Sequence, residues 1–313
     1  MMPARRKTKP GGNKGVVNKN SVLGVAVALC SVPALAQQDP ATVTIQTQKL
    51  TNNVYMLMGD GGNIGLSTGA DGSVLIDTEY APLNAKILAA VRSAGGSDVK
   101  YVINTHWHGD HTGGNEPLGK AGAVIIAHDN VLARLSTEQF MAAFNQKVPP
   151  APAAARPVVT YPTRTTFYLN GDVVQIVHIP NAHTDGDSIV HFTNANVIHT
   201  GDTYMKDVYP FIDVGSQGSI DGFIAAADAV LSRANANTKI IPGHGALANR
   251  ADMQRFHDML VAARGKIQTL IDQGMTEDQV VAAKPTAEFD DPWGKGFMTP
   301  EQFTRFSYQS LKR

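Results

Sequence analysis

Residues 105–115 of the chain read THWHGDHTGGN. Within six positions they hold three histidines and one aspartate, which are His106, His108, Asp110 and His111. The preceding residues 99–104, VKYVIN, are largely apolar or β-branched and predict a buried strand, whereas the paired glycines afterwards permit a sharp turn. Zinc takes about four ligands. Because Asp110 and His111 should point away from the direction of His106 and His108, the run predicts ligands for two neighbouring metal ions.

The first 36 residues have the pattern of a secretory signal peptide. Residues 1–20 contain six basic and no acidic side chains, residues 22–29 are apolar, and Pro33-Ala34-Leu35-Ala36 supplies an Ala-x-Ala site. This pattern predicts export to the periplasm or the medium, with cleavage after Ala36. The apolar run is too short to form a stable membrane span, so we expect no membrane partner after cleavage.

Loss of this leader changes the charge of the protein. The whole chain has 27 basic and 27 acidic residues, and the six basic residues of the leader leave residues 37–313 with a net charge near −6. A mildly acidic chain argues against nucleic acid as a partner and favours a small-molecule substrate. The sole cysteine, Cys30, lies in the leader, so the remaining chain has no thiol ligand or nucleophile.

The hydrophobic patterning predicts two α/β halves within a single domain at residues 37–313. In the first half we expect strands at 54–58, 73–77 and 99–104 and a helix at 82–94. In the second half we expect strands at 165–169, 173–179, 188–192, 197–199 and 238–241 and a helix that begins after Ser219. The similar order of elements predicts a pseudo-symmetric sandwich, with all the candidate ligands just beyond strand ends.

The remaining segments are predicted as helices or loops. Residues 130–147 are predicted to form a broken helical stretch, and the proline-rich residues 149–157 a loop between the two halves. Residues 250–313 are predicted to form a helical extension. It comprises a long helix to about residue 273, a smaller helix at 276–283 and a final helix capped by Thr299.

The spacing His-x-His-x-Asp-His after a hydrophobic strand resembles the signature of the metallo-β-lactamase-fold hydrolases. The resemblance covers about residues 43–250 and implies a four-layer αββα sandwich with a binuclear metal site at one edge of its two sheets. It also implies three later ligands, and each has a candidate in the expected order. These are His183 in PNAHTDGDS, Asp202 in HTGD and His244 in IPGHG.

The same resemblance implies how the ligands divide between two metals. The first metal would be held by His106, His108 and His183. The second would be held by Asp110, His111 and His244, with Asp202 bridging both. Two zinc ions per chain are expected, and iron or manganese stays open because ligands alone do not identify a metal.

Catalytic roles follow from this expected metal pair. A water bridging two divalent ions loses its proton near neutral pH, and the resulting hydroxide can attack a carbonyl carbon. Asp110 is expected to orient this nucleophile and to pass on its proton. Asp77 and Asp185 are candidates for hydrogen bonds that orient the ligating imidazoles.

Other polar residues near the candidate ligands are assigned by their sequence context. The loop after Asp202 carries Tyr204, Lys206 and Tyr209, which are candidates for substrate binding. The other histidines lie in or beside apolar segments and are expected to be packed or surface residues. They are His128, His178, His191, His199 and His257.

The predicted function is that of an exported binuclear zinc hydrolase that opens a cyclic amide or ester, with a β-lactam as the leading candidate. Asp202 stands where the commonest lactamase subclass has cysteine, and it resembles glyoxalase II and lactonases in this respect. The alternatives are therefore a lactonase or esterase, a glyoxalase II-like thioester hydrolase and an iron-dependent sulfur dioxygenase. A nuclease of this superfamily would need a large extra domain between Asp202 and His244. Only 41 residues separate these positions, which argues against a nuclease. The oligomeric state stays open.

Overall fold

The computed structural model of the protein describes residues 38–313. The predicted signal peptide at residues 1–36 lies outside the described residues. Across the described part of the chain, no helix combines the length and apolar character that a membrane span requires.

A seven-stranded sheet carries the first half of the chain. Its strands, in spatial order, are β1 (Gln46–Lys49), β2 (Val54–Met58), β3 (Ile64–Ser67), β4 (Ser73–Ile76), β5 (Val99–Ile103), β6 (Val124–His128) and β9 (Val159–Tyr161). Neighbours from β1 to β4 pair antiparallel, and those from β4 to β9 pair parallel. The parallel part includes the predicted strand before the histidine run.

A six-stranded sheet carries the second half. Its strands, in order, are β10 (Arg164–Leu169), β11 (Asp172–His178), β12 (Ser188–Phe192), β13 (Val197–His199), β14 (Lys239–Ile241) and β15 (Ala248–Asn249). The strands pair antiparallel except for β13 and β14, which run parallel. These parallel strands therefore end at the same edge of the sheet.

The helices complete the fold and cover the outer faces of both sheets. They are α1 (Asn84–Ser93), α2 (Gly109–Thr112), α3 (Asn115–Lys120), α4 (Asp129–Leu135), α5 (Ile220–Leu231), α6 (Arg250–Asp272), α7 (Glu277–Ala282), α8 (Asp290–Trp293) and α9 (Pro300–Leu311). Side chains of α1 pack on one face of the first sheet, and those of α5, α6 and α9 pack on the second sheet. The layers are helix, sheet, sheet and helix, so the predicted αββα fold is confirmed.

Alternating side chains explain why the central strands are buried on both faces. In β2, Val54 and Met56 point into the layer between the sheets, whereas Tyr55 and Leu57 point to the helical layer on the other face. Successive side chains of a strand point to opposite faces, so a strand inside a four-layer fold is apolar throughout. The layer between the sheets gives the ends of the strands a rigid support.

The structure corrects one prediction about the middle of the chain and adds a strand after it. Residues 130–147 form one short α-helix, α4, followed by a separate hairpin of β7 (Gln139–Met141) and β8 (Gln146–Val148), whose strands are joined through a 3-10 turn at Ala142–Phe144. Asn145 adopts a left-handed conformation at the tip of this hairpin, which an asparagine tolerates well. The proline-rich residues 149–157 lead into β9, which extends the first sheet and was not predicted.

The predicted C-terminal helices are present and belong to the second helical layer. Asn249 caps α6 through a capping box with Asp252, and Thr299 caps α9 with proline at the first helical position. Phe256 of α6 is fully buried and packs against Tyr204, with 5.0 Å between the ring centroids. Tyr204 lies shortly after the candidate ligand Asp202 in the sequence. The extension therefore packs against the loop that carries a candidate ligand.

We predict that Phe256→Ala destabilises the protein by about 3–5 kcal/mol, because it leaves a cavity in the second helical layer. Urea unfolding followed by circular dichroism measures the free energy of unfolding. Val261→Ala, on the same helix at a position that is 44% exposed, is the control and should stay within about 0.5 kcal/mol of the wild type. Equal effects of both substitutions would contradict the packing described here.

Candidate metal centre

The first four candidate ligands follow the end of β5. His106 and His108 lie in the loop after this strand, and Asp110 and His111 lie on α2. Asp77, at the end of the neighbouring β4, fixes the loop by accepting hydrogen bonds from the backbone nitrogen and the hydroxyl of Thr105 (2.8 and 2.7 Å). The loop is therefore held by the parallel pairing of two central strands.

The other three candidate ligands come from loops of the second sheet. His183 follows β11, and Asp187 closes its turn by accepting from the backbone nitrogens of His183 and Thr184 (2.6 and 2.8 Å). Asp202 and His244 follow β13 and β14, whose parallel pairing brings both residues to one edge. The ends of both sheets thus meet at a single site.

Three histidines form the first cluster, which is buried. The members are His106, His108 and His183, whose ring centroids lie 4.6–4.8 Å apart. The Nε2 atom of His183 lies 2.8 Å from Nδ1 of His108. All three residues can offer one ligand atom to a common point, which is the geometry that a metal ion with three histidine ligands requires.

A second cluster lies beside the first and contains both acids. Its members are Asp110, His111, Asp202 and His244. The Nε2 atom of His244 lies 3.2 Å from Oδ2 of Asp110, and His111 Nε2 lies 3.0 Å from Oδ1 of Asp202. This mixed set of imidazoles and carboxylates also suits a divalent metal.

Asp202 lies between the two clusters. Its Oδ2 atom is 3.4 Å from His244 Nε2 of the second cluster, and it is also 3.6 Å from His183 Nε2 of the first. The side chain of Asp202 is only 4% exposed. A carboxylate with this position can contribute an oxygen to both clusters, as the bridging role requires.

In four of the five histidines, one ring nitrogen is bound to an outer partner while the other faces a cluster. Nε2 of His108 lies 3.1 Å from an oxygen of Asp213, and Nδ1 of His111 lies 2.8 Å from one of Asp77. Nδ1 of His183 donates to the carbonyl of Phe211 (2.7 Å), and Nδ1 of His106 lies 3.1 Å from the hydroxyl of Thr105. Outer hydrogen bonds of this kind fix the orientation and tautomer of metal-binding imidazoles.

The ring nitrogens that face the clusters are better suited to bind a metal ion than to form hydrogen bonds with one another. Nε2 of His106 is buried and has no hydrogen-bond partner, and buried polar atoms without a partner are rare. Burial lowers the pKa of His106 well below its usual value and that of His183 to about 4, so both rings are neutral, as ligands must be.

The two carboxylates of the second cluster instead favour positive charge at their neighbours. Burial opposes protonation of His244, but Asp202 and Asp110 outweigh it and raise its pKa to about 10. Burial likewise opposes protonation of His111, and the same two carboxylates together with Asp77 raise its pKa well above the usual value. Cations that balance these buried carboxylates belong at this position, and a divalent ion supplies that charge.

Comparison with known proteins identifies the family. The sequence model of the metallo-beta-lactamase superfamily matches residues 57–245, which include all seven candidate ligands. The chain belongs to this superfamily. Its members are metal-dependent hydrolases, and the protein is an enzyme of that class.

Individual relatives are more distant. A hydroxyacylglutathione hydrolase of Polaromonas sp. (strain JS666) is 24% identical over 220 residues, covering 67% of this chain and 73% of the relative. The lactamase-like protein vrtG of Penicillium aethiopicum is 34% identical over 110 residues, or 35% of this chain, and the match spans about a third (32%) of that relative. A metallo-beta-lactamase from Pontibacter korlensis has a similar structure, with a TM-score of 0.55 and 20% identity over 70% of this chain and 99% of that chain.

The structure places two of the three predicted substrate-binding residues of this hydrolase in the core, and the role of Lys206 stays a prediction. Tyr204 and Tyr209 are fully buried, and the ring of Tyr209 stacks on Phe303 of α9 at 4.4 Å. The ammonium group of Lys206 donates a hydrogen bond to the backbone carbonyl of Leu247 and forms an ion pair with Asp252. The prediction of Tyr204 and Tyr209 at the substrate mouth is wrong because the hydrophobic effect draws these large rings into the helical layer.

Of the two predicted hydrogen-bond partners of the candidate ligands, one contacts a ligand and the other does not. Asp77 does contact His111, but Asp185 forms a bidentate pair with Arg134 (2.6 and 2.8 Å) and contacts no candidate ligand. Asp213 was missed, although it contacts the ring of His108 from 105 residues further along the chain. No local pattern marks such a contact; only its position in the Tyr-Pro-Phe-Ile-Asp run after Asp202 could have drawn attention to it.

The histidines predicted to be structural lie outside both clusters. His128 and His178 stack on each other with ring centroids 3.6 Å apart, and His199 is buried against the backbone carbonyl of Asn63 (3.0 Å). Asn63 also donates to the carbonyls of Pro242 and Gly245 (2.8 and 2.9 Å), on either side of the ligand His244. The loop containing Asn63 is thus fixed to the loop of His244.

Gly62 in the same loop has a separate function. A Cβ atom at this position would lie 2.1 Å from the ring of His111, so only glycine allows the backbone to approach the ligand this closely. The loop therefore forms a close-fitting wall over the second cluster.

We predict that Asp213→Ala weakens zinc binding at the first cluster by about 10–100-fold, because His108 loses the carboxylate that orients its ring. Competition with a chromogenic chelator measures the affinity, and a thermal melt checks folding. Asp213→Asn keeps a hydrogen-bond acceptor and should lose less. Asp228→Asn, exposed on α5, serves as the control, and an unchanged affinity in Asp213→Ala would remove Asp213 from the metal site.

Proposed function

We propose that this hydrolase binds two zinc ions, one in each cluster, and opens a cyclic amide or ester, with a β-lactam as the leading substrate. The observation that carries the proposal is the position of Asp202, which lies within 3.6 Å of histidine nitrogens from both clusters. A buried carboxylate at this position suits a pair of metals rather than a single one. When bound, zinc lowers the pKa of a bound water to about 7 and polarises a carbonyl oxygen.

The residues of the chain supply orientation and proton transfer in this scheme. Asp110 is the more accessible acid of the second cluster, with 23% of its side chain exposed against 4% for Asp202. Burial alone would raise the pKa of Asp110, but in the metal-free protein His111 and His244 hold it well below the usual value, so this carboxylate is ionised there and suited to a cation. It can accept the proton that the attacking water loses and release it to solvent.

Hydrolysis of a thioester is the second candidate. An aspartate at position 202 resembles glyoxalase II, and the chain matches a hydroxyacylglutathione hydrolase over 67% of its length. The described C-terminal residues 250–313 form helices that pack on the second sheet and contribute to its core. The arrangement of these helices is compatible with either substrate, and a direct assay distinguishes the two.

We predict that the zinc-loaded protein hydrolyses at least one of three substrates: a chromogenic cephalosporin, a lactone or a glutathione thioester. Chelation should abolish turnover, and added zinc should restore it, because the water is activated only beside a metal. His108→Ala should lose activity and about one zinc per chain by metal analysis. His257→Ala, outside both clusters, is the matched control.

The outcomes of this assay separate the candidates. Rapid opening of the cephalosporin alone would support a β-lactamase with aspartate at position 202, whereas turnover of only the lactone or thioester would assign the enzyme to ester chemistry. Full activity of the metal-free protein would contradict the proposal. Iron found in place of zinc, with oxygen consumption, would instead support a sulfur dioxygenase.

We also propose that the enzyme is exported. The basic start, apolar core and Ala-x-Ala site at residues 1–36 support this location. Expression of the full chain in a Gram-negative host should yield a periplasmic protein whose first residue, by mass spectrometry, is Gln37. Ala36→Arg should block cleavage. An uncleaved wild-type protein in the cytoplasm would contradict export while leaving the metal chemistry unaffected.

A further inference from the structure

A short loop passes over the second cluster. We call residues 59–63, which read Gly-Asp-Gly-Gly-Asn, the glycine loop. Four consecutive backbone N–H groups of this loop donate hydrogen bonds to three separate parts of the chain. The acceptors are Oε2 of Glu79 for residues 60 and 61 (3.2 and 3.0 Å), the carbonyl of Asp110 for residue 62 (3.0 Å) and the carbonyl of Gly243 for residue 63 (2.7 Å). The glycine loop is therefore fixed to its surroundings along its length.

Glu79 is the acceptor that contributes a side chain. It lies shortly after β4 and is fully buried. Its backbone carbonyl accepts a hydrogen bond from the backbone nitrogen of Gly114 (3.0 Å), which follows α2. The side chain thus holds the glycine loop, while the main chain holds the end of the helix that carries Asp110 and His111. Glu79 connects two segments that flank the second cluster.

The backbone around Glu79 has an uncommon conformation. Asp77 has a φ of 66° and Glu79 a φ of 51°, and both values lie in the left-handed region that non-glycine residues rarely adopt. Strained backbone of this kind persists where surrounding contacts enforce it, and it clusters at functional sites. The carboxylate of Asp77 contacts the ring of His111, and that of Glu79 contacts the loop over the same ring. Both left-handed residues therefore direct a carboxylate towards the second cluster or its covering loop.

The glycine loop in turn touches two ligands of the second cluster. A Cβ atom at Gly61 would lie 2.8 Å from the carbonyl oxygen of Asp110, and one at Gly62 would lie 2.1 Å from the ring of His111. The position of the loop therefore confines the backbone of Asp110 and the imidazole of His111. The histidines of the first cluster are instead oriented by the outer partners described above. Displacement of the loop should accordingly affect the second metal more than the first.

We propose that Glu79 is a positioning residue for the second metal ion, because its carboxylate holds the glycine loop against Asp110 and His111. This inference rests on the proposed function, since it concerns the second of the two proposed zinc ions. The hydrogen bonds of the Glu79 carboxylate go to the loop rather than to a candidate ligand, so Glu79 acts on the metal site through the loop.

Two substitutions of Glu79 test this role. Glu79→Leu removes the acceptor and leaves the N–H groups of residues 60 and 61 without their partner. Glu79→Gln keeps an acceptor oxygen for these groups. Oε1 of Glu79 has no hydrogen-bond partner, so an amide nitrogen in its place breaks no existing hydrogen bond. Burial raises the pKa of Glu79 above its usual value, so a neutral group suits this position. The leucine variant should therefore release the loop, and the glutamine variant should retain it.

Competition with a chromogenic chelator measures the affinities of both zinc ions, and hydrogen exchange followed by mass spectrometry measures the protection of the glycine loop. We expect Glu79→Leu to weaken one zinc ion by about 10–100-fold, as is typical for residues that orient metal ligands, and to leave the other unchanged. The loop should lose protection in this variant, whereas Glu79→Gln should behave like the wild type. In a His108→Ala background, where the remaining zinc lies in the second cluster, Glu79→Leu should weaken that remaining ion.

Matched controls separate the loop from general effects of substitution. Glu288→Leu, at a side chain that is 56% exposed, should leave both affinities and the loop unchanged. Gly61→Ala leaves the Glu79 carboxylate in place, but its new Cβ atom meets the carbonyl of Asp110, so it should weaken the same zinc ion. It decides the proposal if thermal melts show that Glu79→Leu does not fold. Gly265→Ala, whose Cβ atom would meet nothing within 4 Å, is the control for this variant.

The outcomes distinguish this inference from the proposed function. A folded Glu79→Leu with unchanged zinc affinities, or with unchanged protection of the loop, would overturn the role of Glu79. Equal weakening of both zinc ions, or a glutamine variant as weak as the leucine variant, would also overturn it, because these results indicate a general loss of structure. A wild type that binds a single zinc ion would contradict the proposed function together with this inference, whereas the other outcomes leave the proposed function intact.

Discussion

The buried carboxylate of Asp202 is the constraint on which the rest of the site depends. Removing a charge from water is costly unless opposite charge and hydrogen bonds surround it, and Asp202 is 4% exposed. Imidazoles from both sheets converge on it, and Asp110 adds a further negative charge nearby. The protein has thus built a centre that is stable only with cations, either protons on His111 and His244 or metal ions, and the neutral rings of the first cluster favour metal ions.

The two sheets make this convergence possible. A ligand must be held within a few tenths of an ångström, and loops alone do not provide this precision. Here each ligand lies just beyond a strand whose side chains pack between the sheets, and further contacts lock the loops to one another. Asp77 connects the ends of two strands in the first sheet, and Asn63 connects the first sheet to the loop of His244 in the second. The rigidity of the core is therefore transmitted to the metal ligands.

The candidate ligands and the C-terminal helices belong to different parts of the chain. All seven candidate ligands lie within the stretch that matches the superfamily, at residues 57–245. The final helix, α9, lies beyond that stretch and packs on the second sheet. Such peripheral elements can change in shape without disturbing the charges at the centre.

The sequence alone determined the features that depend on short stretches of chain. The histidine run predicted two metal positions, the later ligand candidates followed strand ends, and periodicity and capping residues predicted helices such as α6 and α9; the structure brings all seven candidate ligands together. Features that depend on contacts between distant residues were decided only by the tertiary structure. The contact between Asp213 and His108, the burial of Tyr204 under α6 and the addition of β9 to the first sheet belong to this group. Periodicity records which face of a segment is apolar, but which distant segment covers that face is decided by packing of the whole chain.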